Sequence, residues 1–248
     1  MKDNKKIILI IFLISIFFIC CNKDDAPDFL KSTGSIRKVN MVINGDFKSI
    51  CLNNTINLII TQDTMNRVDV ETGENLLPKI KTELINGVLT ISDGNTFNWV
   101  RDLDDQINVY LRIKQIDTLK YTGSGNINST NAITGYSFAF ITNNGTGDVD
   151  ITLNTHESHF SLQLGVQNVN VKGMSGVNYI YNIGENIFHG EQLETGYTYI
   201  DNFSSGDCYI FATKEIGAKI GYVGDIYYKG NPYKIDFIKN GKGNLIKE

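Results

Sequence analysis

Gly123-Ser-Gly-Asn126, Gly145-Thr-Gly-Asp148 and Gly241-Lys-Gly-Asn244 are copies of one turn signal, whose second glycines are Gly125, Gly147 and Gly243. Shorter forms stand at Gly206-Asp207 and Gly224-Asp225, and Gln167-Asn168 and Glu185-Asn186 hold the same phase without the glycine before the Asn. Counted by the Asn or Asp, the series runs 126, 148, 168, 186, 207, 225, 244, in steps of 22, 20, 18, 21, 18 and 19 residues. A fixed period near 20 residues marks a solenoid, because one such unit cannot bury its own apolar face and must stack on neighbours.

Between the corners the pattern alternates with period two, as in Val149, Ile151 and Leu153, and a second alternating stretch follows in most units, as in Phe138 and Phe140 or Tyr179 and Tyr181. Two strands and two turns per unit predict one coil of a β-solenoid. About seven coils at the ~4.8 Å strand spacing would stand roughly 30 Å tall. Glycine at the corner is expected to supply a positive φ, and Asn or Asp to hydrogen-bond the turning backbone. Stacked corners would then align Asn126, Asp148, Asn168 and Asn186, and after them Asp207, Asp225 and Asn244, in a structural ladder.

Upstream, the strands are irregular. Val39, Met41 and Ile43 alternate, then Ile56, Leu58 and Ile60, with Asn44-Gly45 and Asn86-Gly87 as hairpin signals. Glu71 to Lys81 is the one stretch with a helical look, and Pro78 turns it into a loop or short turn. The fold class is thus all-β. A solenoid over 118–248 follows irregular strands over 36–117 that cap or begin it, and 36–248 reads as one domain.

The first residues carry an address. Lys2, Lys5 and Lys6 precede the apolar run Ile7 to Ile19, broken only by Ser15. At 1.5 Å per residue that run is too short for a ~30 Å hydrocarbon core, so 1–20 reads as a signal peptide. Cys20-Cys21 followed by Asn22-Lys23-Asp24-Asp25 resembles the lipobox of bacterial lipoproteins, with Cys21 as the lipidated residue and 21–35 as a tether. The acidic segment after Cys21 resembles the signal that sends Bacteroidetes lipoproteins to the outer face of the outer membrane. The expected localisation is therefore a lipid-anchored, surface-displayed one, with the membrane as a partner through the lipid.

The net charge of −4 becomes −6 without residues 1–20, which lose three lysines and Asp3. An acidic chain lacks the basic face that nucleic acid requires. Cys51 and Cys208 lie in apolar strand contexts and are expected as buried free thiols.

From about Phe47 onward the chain resembles the putative auto-transporter adhesin, head GIN domain family. The resemblance rests on Ile56-Asn-Leu-Ile-Ile60, Glu74-Asn-Leu-Leu77, Gly87-Val-Leu-Thr-Ile91, Gly123-Ser-Gly-Asn-Ile127 and the later glycine corners through Gly224-Asp225 and Gly241-Lys-Gly-Asn244. Gly165-Val-Gln-Asn168 and Gly184-Glu-Asn186 depart from it by lacking the second glycine. The resemblance implies an all-β, right-handed helical arrangement of strands in a cell envelope and an adhesive role, and it carries no catalytic residues.

Chemical motifs are sparse. A phosphate loop needs a helix after Gly123-Ser-Gly125, and strand pattern follows instead. His156 and His159 stand three apart, where a zincin needs two histidines four apart on a helix. Asp102, Asp104 and Asp105 after Trp99 suit a solvated loop better than a carboxylate pair for glycan cleavage. Neither cysteine has a histidine near it in sequence. No enzyme, cofactor or metal site is expected. Asp63-Thr64-Met65 and Asp117-Thr118-Leu119 resemble the Asp-Thr-aliphatic acceptor for O-glycosylation of exported proteins. The remaining expectation is a scaffold for a surface glycan or protein ligand, with oligomerisation through a solenoid end or edge.

Overall fold

The computed structural model describes residues 33–95 and 106–248. The signal peptide, Cys21, most of the tether, Trp99, Asp102, Asp104 and Asp105 lie outside the described residues.

Long strands run from corner to corner: β9 (Ile127–Gly145), β10 (Val149–Gly165), β11 (Asn168–Gly184), β12 (Ile187–Ser204) and β13 (Cys208–Ile220). The alternation slips once in β9, β10 and β11, and each slip marks a bend. In β10, Val149, Ile151, Leu153 and Thr155 point inward; past His156 and Glu157 the inward residues are Ser158, Phe160 and Leu162. One strand therefore crosses two sheets. Neighbouring coils pair in parallel register, Val149 opposite Val169 on the first sheet and Phe160 opposite Ile180 on the second. The apolar inward columns form one continuous core that includes Phe138, Phe140, Phe160, Phe188 and Ile210.

The last turn is β14 (Ile226–Lys229), β15 (Lys234–Lys239) and β16 (Leu245–Lys247), where β14 and β16 extend the first sheet and β15 the second. The solenoid has about six turns, close to the seven expected. The corner at Gly241–Asn244 leads only into three-residue β16 and completes no further coil.

The earlier strands are β1 (Ile36–Met41), β2 (Ser49–Asn54), β3 (Asn57–Gln62), β4 (Arg67–Gly73), β5 (Ile80–Ile85), β6 (Val88–Asp93), β7 (Asn108–Ile113) and β8 (Thr118–Gly123), with a short 3-10 turn at Leu77–Lys79 around Pro78. They do not stack in chain order. β3 lies between β7 and β9 on the first sheet, with Leu58 opposite both Val109 and Ile127. β2 lies between β6 and β8 on the second, with Ile50 opposite Leu89 and Leu119. The coil made by β2 and β3 is thus slotted between strands that follow it in the chain. Beyond it, antiparallel strands close the end: β1 on β4, β4 on β7, and β5 on β6.

The corner series stacks, but through a different use of glycine. Gly123, Gly125, Gly145, Gly147, Gly206, Gly224 and Gly243 have no positive φ; only Gly184 among the corners does. What excludes a side chain is the close approach of the next coil. A Cβ on Gly125 would lie 2.0 Å from the Ile56 carbonyl oxygen, and one on Gly147 1.9 Å from that of Gly125.

The amide and acid side chains bridge successive corners. Asn57 Oδ1 accepts the Asn126 N–H at 2.9 Å, and Asn126 Oδ1 accepts that of Asp148 at 3.0 Å. Asn168 Nδ2 donates to Asp148 Oδ1 at 3.0 Å, Asp225 N–H to Asp207 Oδ1 at 2.8 Å, and Asn244 N–H to Asp225 Oδ1 at 2.6 Å. Asn186 is out of register with the others, although its Oδ1 still accepts the Gln167 N–H of the preceding corner at 3.3 Å. Ile187, not Asn186, stands opposite Asn168, and Asn186 is buried, donating to the Ile183 carbonyl at 2.9 Å. From inside, Tyr121, Asn182 and Asn202 each donate to the corner carbonyl four residues on, at 2.6, 3.0 and 3.3 Å, which supplies partners to backbone that the turn leaves without a ladder.

Candidate functional site

On the outer surface of the first sheet, Asp150, Asn170, His189, Tyr209 and Tyr227 stand opposite one another in successive coils. Thr152, Lys172 and Gln192 form the next outward column, two residues along β10 and β11 and three along β12. The pleat leaves a trough between two such columns. β12 interrupts it: Gly190 pairs with Ile210 and Glu194 with Phe211, so Glu191, Gln192 and Leu193 have no counterpart in β13. Leu193 turns into the core and Glu191 stays at the trough.

The result is a pocket of about 310 Å³ lined by Asp150, Asn170, Lys172, His189, Glu191 and Gln192. Glu191 Oε1 stands 3.8 Å from His189 Nδ1, while Glu191 Oε2 is shielded from solvent and has no hydrogen-bond partner. His189 stacks on Tyr209 at 5.1 Å with 6° between the rings, and Tyr209 on Tyr227 at 4.9 Å. Its other side is turned to the coil of Asn170. Bulges of this kind commonly re-aim a side chain beside a site. The sequence signal was the 21-residue step from 186 to 207, which exceeds the neighbouring steps of 18.

The second sheet carries a more regular surface. Ala139, His159, Tyr179, Tyr199, Gly217 and Asp236 form one outward column, and Ile141, Ser161, Tyr181, Asp201, Lys219 and Ile238 the next. A groove of about 660 Å³ runs between them. His159 stacks on Tyr179 at 4.8 Å and Tyr179 on Tyr199 at 5.5 Å. Tyr199 leans over Gly217, where a Cβ would come within 2.7 Å of the ring. These rings spend their faces on one another and offer solvent only edges and hydroxyls, so the column is no platform for a ligand that stacks flat.

The remaining predicted residues are dispersed. Thr64 is exposed between β3 and β4 and donates its N–H to Asp63 Oδ1 at 2.6 Å. Thr118 is half-buried at the start of β8, opposite Ser49 and Ala139. His156 meets the ring of Tyr136 at 5.5 Å, away from the stack that holds His159. Among the described residues no three His, Cys, Asp or Glu side chains converge to hold a metal ion. Both thiols are free, and only Cys208 is buried; Cys51 is half-buried. Burial pushes the Cys208 thiol up to about 12, and Asn182 Nδ2 donates to its Sγ at 3.3 Å. Among the described residues no helix is long and apolar enough to cross a membrane.

Solved structures share this architecture. A putative adhesin from Bacteroides fragilis NCTC 9343 superposes with a TM-score of 0.80 at 19% identity, over 86% of this chain and 97% of that one. A putative adhesin from Parabacteroides distasonis ATCC 8503 gives 0.65 at 19% identity, covering 87% and 98%. A putative lipid binding protein from the same organism gives 0.65 at 16% identity, covering 87% and 98%. These likenesses establish the fold. No curated protein matches the sequence. The family model of the putative auto-transporter adhesin, head GIN domain, matches residues 46–232, three quarters of the chain, and the chain belongs to that family.

Proposed function

We propose that this protein is a non-catalytic, adhesin-like envelope scaffold, anchored by a lipid on Cys21 at the outer face of the outer membrane, whose coils present their outer surfaces to a glycan or protein ligand. The observation that carries this reading is the ordered outward columns on both sheets, fixed at coil spacing by parallel register. Such a surface holds many weak contacts in a rigid array, where affinity comes from multiplicity. The family and its adhesin-named structural neighbours support the same reading.

Beads coated with the chain from residue 22 onward should adhere to glycan-bearing or matrix-coated surfaces, and equal adhesion by uncoated beads would defeat the adhesive role. For the anchor, Cys21→Ala should move the protein from the membrane fraction to the soluble one. Unchanged fractionation would remove the lipid from the reading while leaving adhesion standing.

A further inference from the structure

We infer that the pocket beneath the β12 bulge binds one neutral hexopyranose unit of a glycan, an inference that rests on the adhesin-like reading and names its ligand class. The pocket is an addition to the solenoid and is not required by it. β13 runs through the same position with Ile210 directly followed by Phe211, so the coil closes without the surplus residues of β12. What the surplus does is dam the trough with a carboxylate whose Oε2 is sheltered from water and unpartnered. With Oε2 closed to solvent, the carboxylate meets a ligand in the trough through Oε1, 3.8 Å from His189 Nδ1, and a hydrogen bond to that charged oxygen is a strong one.

The lining selects among donors. A cation would need several converging anionic or nitrogen ligands, and among the described residues no such group of three exists. Phosphate or an acidic sugar meets two carboxylates, Asp150 and Glu191, against the single lysine Lys172. A purely apolar ligand would strand the amides of Asn170 and Gln192. A polyol fits, because each hydroxyl donates and accepts at once: carboxylates take its protons, Lys172 supplies one, and Asn170 and Gln192 do both. The ring of His189 is backed by Tyr209 on one side and faces the coil of Asn170 on the other, so a sugar meets it at its edge, beside the Asn170 amide. At about 310 Å³ the pocket is at the small end of ligand sites, right for one sugar ring and too small for a chain segment.

The test is calorimetry and NMR titration of the chain from residue 22 onward with mannotriose, maltotriose and chitotriose, alongside trigalacturonate and calcium chloride. At least one neutral trisaccharide should bind saturably and shift the amides of residues 170, 189 and 191. Glu191→Ala should weaken it by about tenfold or more, the order expected on losing one hydrogen bond to a charged group. Asn170→Trp should fill the pocket and abolish binding. Tyr179→Ser, on the opposite sheet, should change nothing, and unchanged thermal unfolding of each variant shows that it folds. Four outcomes overturn the proposal: no saturable neutral sugar, binding lost in Tyr179→Ser instead, calcium alone binding through Glu191, or cleavage of the trisaccharide. Bead adhesion separates the two readings: adhesion by wild type and Asn170→Trp alike leaves the scaffold reading and sinks the pocket, whereas trisaccharide binding without adhesion does the reverse.

Discussion

The two halves of the molecule are built from the same coil and differ in how it is assembled. From β9 onward each coil rests on the one before it, some 18 to 22 residues earlier. In the first half the β2–β3 coil rests on partners 69 residues later, Ser49 opposite Thr118 and Leu58 opposite Ile127, and antiparallel strands finish the end. One half is therefore a local repeat and the other a splice. Local contacts close small loops, whereas the splice must hold β2 and β3 ready until β8 and β9 arrive, and such long-range pairing slows folding.

The largest effect should come where the halves meet. Gly125→Val places carbon atoms where the Ile56 carbonyl lies, and since backbone cannot yield there, the folded chain should be lost from soluble expression or melt without a cooperative transition. A folded Gly125→Val protein would show that the splice tolerates a wider coil spacing.

Next, Leu58→Ala removes a fully buried side chain facing both β7 and β9 and should cost about 3 kcal/mol in denaturant unfolding. Hydrogen exchange decides how the halves are coupled: accelerated exchange in β2, β3 and β8 alone marks two cooperative units, and uniform acceleration marks one.

Alkaline titration probes each half with its own group. Burial holds the Cys208 thiol, ordinarily near 9, at about 12, and the Tyr121 hydroxyl, ordinarily near 10, also at about 12. Both folded values are raised, so this stability is complete below the ordinary values and is lost as pH climbs toward 12. Tyr121→Phe should flatten the upper part of that loss, between 10 and 12, and Cys208→Ser the onset near 9. Equal pH profiles for all three proteins would show that neither group stays neutral in the fold.

The smallest effect belongs to a glycine outside any close approach. Gly135 has no positive φ and nothing within 4 Å of an added Cβ, so Gly135→Ala should leave the fold intact and raise stability by about 0.5 kcal/mol through the unfolded chain.

The local half of the fold was open to reading in the sequence because every cue for it lies within one coil. The corner residues recur, the inward residues alternate, and the uneven steps of 22 and 21 fall where β9 and β12 carry surplus residues. The pocket was visible to that extent, as a repeat that runs long before Gly206. Its chemistry was not, since Asp150 and Glu191 stand 41 residues apart and only register brings them together. The splice left no cue at all: Ile56, Leu58 and Ile60 fit an inner column equally well beneath any coil. Asn186 misled because the third residue after Gly184, the counterpart of Asn168 after Gly165, is Ile187, so the amide falls one position short of the ladder. The corner glycines were expected to supply a positive φ, and apart from Gly184 they instead admit the close approach of a neighbouring coil, which only the stacked structure reveals.

The slotted β2–β3 coil also sets how the domain bears load. Every strand lies across the solenoid axis, so a pull along that axis opens a regular coil one hydrogen bond after another, as a zipper opens. A pull arriving through β1 first peels β1 from β4 and then meets a clasp: β2 and β3 are gripped on both sides by strands from later in the chain. Those ladders must part together before any later coil pays out its roughly 20 residues, some 65 Å of slack. A protein built this way resists up to one threshold force and then lengthens in even steps, so its extension under load is set by the splice first and by the repeat length afterwards.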